Sequence, residues 1–309
     1  MSEKESAVKN TKEWIYDIPI MSLQKSNLGI INLIKNKKKF MICKMSEDTG
    51  GLAISTAANQ LPQGIALREI ISFVDTKSGI YSKNPVDYKD YGKLYFDILK
   101  KSAAVAYGPP NISQLRTFTE LNFFNMFRNI PAIHHEVLEP YYAIMDDIIP
   151  WSHKLMGKKV LIIHPFVESF KKQLNAGFTI YKNNPIFMEG QEFIFYKPYN
   201  TSGKNHLHKN WKQTFKIMCS EISKLDFDIA LLGCGGYGVP LCGFIYDKLN
   251  KSAIYIGGGL QLLFGVMGKR WDNTEMWQNI INENDCEFIR PSEEETIKNK
   301  DLVSDGCYW

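Results

Sequence analysis

A chain of 309 residues, 44% hydrophobic and 23% charged, has the composition of a soluble globular protein and excludes a disordered or fibrous one. Its net charge of +4 comes without a dense basic patch, the densest run being Lys35 to Lys39, so a nucleic-acid binder is not expected. Six cysteines without a CxxC pair or a matching His spacing exclude a defined zinc site and point to free thiols.

Residues 1–25 are expected to form an N-terminal extension and 26–309 one large domain with helical insertions. Met1 to Lys12 is polar and lacks the apolar centre of a signal peptide. No apolar run reaches the roughly 18 residues of a membrane span. A cytoplasmic location, or a host's cytoplasm for a viral protein, is therefore expected, with peripheral membrane contact left open and the oligomeric state undetermined. Ser26 to Lys38 reads as a helix with Leu28, Ile31, Leu33 and Ile34 on one side, and Phe40 to Cys43 as a short buried strand. Lys44 to Gly51 reads as a polar loop, which puts Glu47 and Asp48 just past a strand end, where open α/β sheets carry ligand-binding groups.

From Asn59 to Gly108 the chain is rich in Tyr, Lys and Asp and is expected to be loops, apart from a helix over Tyr91 to Leu99 and a strand over Ala103 to Tyr107. Ser113 to Phe127 resumes a helical pattern whose aromatics suit a core. After a break at Pro150-Trp151-Ser152, Val160 to Ile163 is a continuous apolar strand of the parallel-sheet kind. His164 stands at its end, and a helix is expected from Val167 to Asn175. Phe178 to Met188 and Glu192 to Tyr196 read as strand-like, and Asn210 to Leu225 as a helix.

The chain then runs Ile229-Ala230-Leu231-Leu232 into Gly233-Cys234-Gly235-Gly236-Tyr237-Gly238, followed by a helical Val239 to Asn250 and a strand over Ala253 to Ile256. Strand, glycine turn, helix and strand in that order are what a phosphate-binding corner needs, because glycine backbones approach a diphosphate and the helix N-terminus favours its charge. Tight packing of strand on helix explains the same glycines equally well. An NAD site needs an acid at the tip of the second strand, and no Asp or Glu occurs between Lys248 and Lys269. Gly257-Gly258-Gly259 stands there instead.

The runs Gly157-Lys158-Lys159-Val160-Leu161-Ile162-Ile163-His164-Pro165-Phe166, Phe227 to Gly238, Ile256 to Gly265, Gly268-Lys269-Arg270-Trp271 and Gly306-Cys307-Tyr308-Trp309 resemble a poorly characterised family. Its members look like distant relatives of the GT-D glycosyltransferases and are found in bacterial surface-polysaccharide gene sets and in some large DNA viruses. The resemblance covers residues 150–309 well and the first half loosely. It implies a Rossmann-like α/β fold with a mostly parallel sheet flanked by helices. It also implies a glycosyltransferase that moves a sugar from a nucleotide-sugar donor to a glycan or glycoprotein acceptor, assisted by Mn²⁺ or Mg²⁺.

In GT-D enzymes an Asp-x-Glu metal motif follows the first strand. The matching stretch here is Lys44-Met45-Ser46-Glu47-Asp48-Thr49, so Glu47 takes the Asp position and Thr49 replaces the Glu. Either Glu47 and Asp48 together hold a metal, or the protein works without one, or activity is lost. The resemblance further implies that Gly233, Gly235, Gly236, Gly238, Gly257 and Gly258 border the nucleotide diphosphate, with Lys269 and Arg270 adding positive charge. His164 is the candidate general base, with Glu168 one helical turn on. Another nucleotide-using enzyme, or a non-catalytic sugar- or partner-binding protein on the same scaffold, are the alternatives.

Overall fold

A computed structural model describes residues 13–15, 18–108 and 113–309. Strands β1 (Glu13–Ile15) and β2 (Ile18–Ile20) form a small antiparallel pair, and helix α1 (Leu23–Asn36) follows, its Ser22 cap accepting the Lys25 N–H. Ile18 and Ile20 are buried in the core, so the domain begins before residue 26 and the expected extension is partly built into it.

Strand β3 (Met41–Lys44) is followed by α2 (Glu47–Ala53), α3 (Leu67–Phe73) and α4 (Pro85–Leu99). Then come β4 (Ala104–Tyr107), α5 (Gln114–Met126), β5 (Ala132–His134) and the single turn α6 (Tyr141–Met145). The second half runs β6 (Lys159–Ile163), α7 (Val167–Asn175), β7 (Glu192–Tyr196), α8 (Trp211–Ile222), β8 (Ile229–Leu232), α9 (Gly238–Lys248), β9 (Ser252–Tyr255) and α10 (Glu275–Asn284).

Seven strands make one all-parallel sheet in the order β5-β4-β3-β9-β8-β6-β7, flanked by helices, a Rossmann-like α/β fold. Alternation along each strand divides the core between the two faces. Leu161 and Ile163 of β6 pack with α4, α8 and α9, while Val160 and Ile162 pack with α1, α7 and α10. With both faces covered, the inner strands read as unbroken apolar runs. Among the described residues no helix is long and apolar enough to cross a membrane.

Three further expectations are corrected. Lys44 to Gly51 is not a loop, because α2 starts at Glu47; its glycines lie where a Cβ on Gly50 would stand 2.6 Å from Thr119 and one on Gly51 2.8 Å from Leu115, so they serve helix-to-helix packing. The Tyr-rich segment holds α3 and a longer α4, whose start is fixed by the Asn84 cap and Pro85 and whose Tyr88, Tyr91 and Tyr95 are core residues. Phe178 to Met188 forms no strand; Ile180 and Ile186 plug an irregular segment into the core instead.

The topology leaves an opening at the carboxyl ends of the strands. From β6 the chain moves out to β7 at the edge, whereas from β8 it moves inward to β9, and β3 leads away on the other side to β4. Loops that part in opposite directions leave a crevice, the usual ligand position in open α/β sheets.

Candidate functional site

A cleft of about 780 Å³ occupies that crevice, within the range of roughly 300–1,000 Å³ typical of small-molecule sites. Its walls come from the ends of β3, β6, β8 and β9, from the loops after β5 and β7, and from the C-terminal segment around Tyr308 and Trp309.

The glycine corner after β8 contributes only in part. Gly233 and Gly235 line the cleft, but Gly236 and Gly238 do not. A Cβ on Gly236 would stand 2.4 Å from Ile80 and one on Gly238 2.2 Å from the Tyr255 ring, so packing requires both. Gly235 has φ +56°, a left-handed conformation that glycine adopts without strain. Its carbonyl accepts the Tyr255 hydroxyl at 3.0 Å, and the Gly236 carbonyl accepts the Tyr91 hydroxyl at 2.7 Å. Tyrosine hydroxyls thus pin the turn from below. The second glycine run closes the opposite wall: a Cβ on Gly258 would strike Tyr308, and one on Gly259 the carboxylate of Glu139.

His164 lies in the cleft wall, 3% exposed, its ring between Phe166 and Phe170 at 4.9 and 4.8 Å. Burial alone lowers its pKa from 6.5 to about 3. Nδ1 accepts the Phe166 N–H at 3.1 Å, which puts the proton of the neutral ring on Nε2. A ring in that state donates a hydrogen bond and takes up no proton, so this placement does not support a general base. The corner that follows is also occupied. Glu295, from the C-terminal segment, accepts the N–H groups of Glu168 at 2.8 Å and Ser169 at 3.2 Å together with the Ser169 hydroxyl. The anion position at the N-terminus of α7 is filled by the chain's own carboxylate.

Glu47 and Asp48 open α2, and both line the cleft. Glu47 accepts the Ser113 hydroxyl, while Asp48 accepts that of Ser46 at 2.6 Å on Oδ1 and that of Ser78 on Oδ2. The two carboxylates are thus directed to different partners. Among the described residues no group of three or more His, Cys, Asp or Glu side chains is disposed to hold a metal. The two carboxylates of the expected Mn²⁺ or Mg²⁺ site are both engaged by serine hydroxyls. Of the two expected cations, Arg270 lines the cleft, but Lys269 does not; its backbone N–H holds the Trp309 carbonyl at 3.0 Å.

Several further cleft residues were not candidates in the sequence. Lys44, at the end of β3, faces Glu139 with Nζ 3.6 Å from Oε1, and Tyr141 donates its hydroxyl to the other oxygen of Glu139. Burial lowers the Lys44 pKa, Glu139 opposes this, and Arg270 and Arg116 add to it. Arg116, in the first turn of α5, bonds the buried Glu120 at 3.2 Å, and burial raises the Glu120 pKa against the pull of that guanidinium. His135, just after β5, is driven to a pKa of about 2 by burial and then by the neighbouring cations. A lysine ending a buried strand was the one available clue.

No protein-family model matches the chain, and no curated protein matches it either.

Proposed function

We propose that the chain is a glycosyltransferase that takes a sugar from a nucleotide-diphosphate donor in the cleft at the strand ends and passes it to a glycan or glycoprotein acceptor. A Rossmann-like sheet by itself assigns no activity. The observation that carries the reading is chemical: one cleft of nucleotide-sugar size holds both cationic side chains, Lys44, Arg116 and Arg270, and carboxylates, Glu47, Asp48 and Glu139. Transfer breaks the bond from the anomeric carbon to a phosphate oxygen, forms one to the acceptor oxygen, and releases a diphosphate whose charge needs stabilising. Lys44, Arg116 and Arg270 supply fixed positive charge for that stabilisation. The acceptor's proton passes to a carboxylate, for which the candidates are Asp48, both of whose oxygens accept hydroxyls, and Glu139, which accepts one hydroxyl and faces Lys44 with its other oxygen.

The hydrogen bonds already made by Glu47 and Asp48 favour one second reading, a binding protein on the same scaffold. Incubation with a panel of UDP-, GDP-, ADP- and dTDP-sugars, following release of free nucleotide, separates the two. Turnover that falls with Asp48→Asn or Glu139→Gln supports the transferase. Binding of a donor with no release of nucleotide in the presence of glycan acceptors supports the binder, and neither binding nor turnover refutes both.

A further inference from the structure

Three cations from distant parts of the chain meet on one side of the cleft, although two of them stand in a largely buried place. Lys44 and Arg116 keep only 22% and 23% of their side-chain surface. The Lys44 ion pair with Glu139 is long at 3.6 Å, and Arg116 is held by Glu120 through Nε. Arg270 lies within ion-pair distance of no carboxylate among the described residues. Its guanidinium rests over Trp271 and Tyr308 at 5.8 and 6.0 Å, and Nη1 reaches the Tyr308 hydroxyl at 3.4 Å. His135 stands beside them, with Nδ1 buried and without a hydrogen-bond partner.

Gathering like charges out of water costs free energy unless an opposite charge is brought to them. Lys44 feels Arg270 and Arg116 strongly enough that both oppose its protonation, and all three oppose that of His135. Glu139 and Glu120 answer Lys44 and Arg116 in part, and among the described residues no carboxylate answers Arg270. The competing anion position is shut, since Glu295 fills the N-terminus of α7.

We infer that this side of the cleft is a diphosphate subsite, in which Lys44, Arg116 and Arg270 bind the phosphate oxygens and the neutral His135 ring lies alongside. The diphosphate then sits between the end of β3, the start of α5 and the short turn Lys269–Trp271, rather than on Gly236 and Gly238, which do not line the cleft. The inference rests on the nucleotide-sugar reading only for what the diphosphate carries; the anion site itself needs no sugar. Guanidinium groups suit such a site because their planar fork matches phosphate oxygens.

Isothermal titration of the full chain with inorganic pyrophosphate at low salt tests it, with melting curves to check each variant's fold. The wild type is expected to bind one pyrophosphate, and added salt to weaken binding. Arg270→Gln, at an exposed turn, is expected to lose at least about tenfold in affinity, the size of a charge-assisted hydrogen bond. Lys298→Gln, exposed and outside the cleft, removes the same charge and is expected to bind as the wild type does. Lys44→Met leaves Glu139 without its cation and is informative only where its melting curve shows it folded; Arg270→Gln decides the matter otherwise. No binding by the wild type, or equal binding by Arg270→Gln and Lys298→Gln, overturns the subsite. Pyrophosphate binding without donor turnover upholds it while refuting the transferase. Donor turnover with Arg270→Gln unimpaired refutes the subsite and leaves the transferase standing.

Discussion

Replacing Glu295 by Ala removes a helix cap supplied from far along the chain. The residue before α7, Phe166, offers no side-chain cap, so the first amides of that helix depend on Glu295, which is 4% exposed. Two N–H groups and the Ser169 hydroxyl donate to its carboxylate, and the Ser292 hydroxyl lies 3.3 Å away. Hydrogen bonds to a charged group contribute about 1.5–3 kcal/mol each, a lost cap costs about 0.5–2 and the helix dipole term is of order 1. These overlap, so a loss of about 3–5 kcal/mol is expected, a large part of the roughly 5–15 that hold a domain folded. Glu295→Gln keeps the shape and loses the charge, for about 1–2 kcal/mol. Urea unfolding followed by circular dichroism measures both. Phosphate provides a second readout: with the carboxylate gone, the freed amides become an anion site, and tens of millimolar phosphate should stabilise Glu295→Ala more than the wild type. An alanine variant within about 1 kcal/mol of the wild type, with no added response to phosphate, refutes the capping role.

Two glycines separate packing from permissiveness: Gly29→Ala, inside α1 with nothing within 4 Å of the new methyl, should stabilise by about 0.5–1 kcal/mol. Gly238→Ala, 2.2 Å from the Tyr255 ring, should destabilise by about 1–3 kcal/mol; a neutral Gly238→Ala in thermal unfolding would return that glycine to a ligand-only role. His164 governs part of the acid limb of stability. Its folded pKa of about 3 lies below its ordinary 6.5, so its contribution is complete above pH 6.5 and lost as pH falls towards 3. By pH 5 the loss is about 2 kcal/mol, and His164→Gln should flatten the stability–pH curve over that range while His135 preserves a residual slope. An unchanged slope contradicts the buried neutral ring. Five of the six cysteines are buried and burial raises the pKa of the sixth, Cys307. A thiol reagent at pH 8 should therefore find at most one slow site in the native chain and six in denaturant; two fast native sites would refute the packing.

What the sequence disclosed follows from how the sheet is buried. Val160 to Ile163 and Ile229 to Leu232 are covered on both faces and leave unbroken apolar runs, so their place as buried strands and the strand, turn, helix order after β8 were legible. Where another requirement overrode local preference, reading failed. Gly50 and Gly51 look like loop residues, yet α5 comes too close for anything larger. The tyrosines of α4 look like surface residues and are core residues whose hydroxyls find partners, as Tyr91 does on the Gly236 carbonyl. Edge strand β5, three residues long, carries no period to detect.

The cleft residues expose a different limit. Two strand-to-helix corners, after β6 and after β8, stand out in sequence, the first for His164 and the second for its glycines, and the fold modifies both. One is filled by Glu295 from more than a hundred residues away; in the other, two of the four glycines turn to Ile80 and Tyr255. Neither outcome is written locally, because each depends on a side chain delivered by the fold. The same holds for charge. Lys44, Arg116 and Arg270 are separated by many tens of residues and share no one motif, yet the parallel order β4-β3-β9 sets Lys44, at the end of β3, beside the segment that follows β9 and carries Arg270, with α5 and its Arg116 following β4. A glycine pattern marks where a backbone is able to approach a phosphate. Which anion position remains open is decided by the carboxylates: Glu295 closes α7, Glu139 and Glu120 only partly answer their cations, and Arg270 has no carboxylate within ion-pair distance among the described residues.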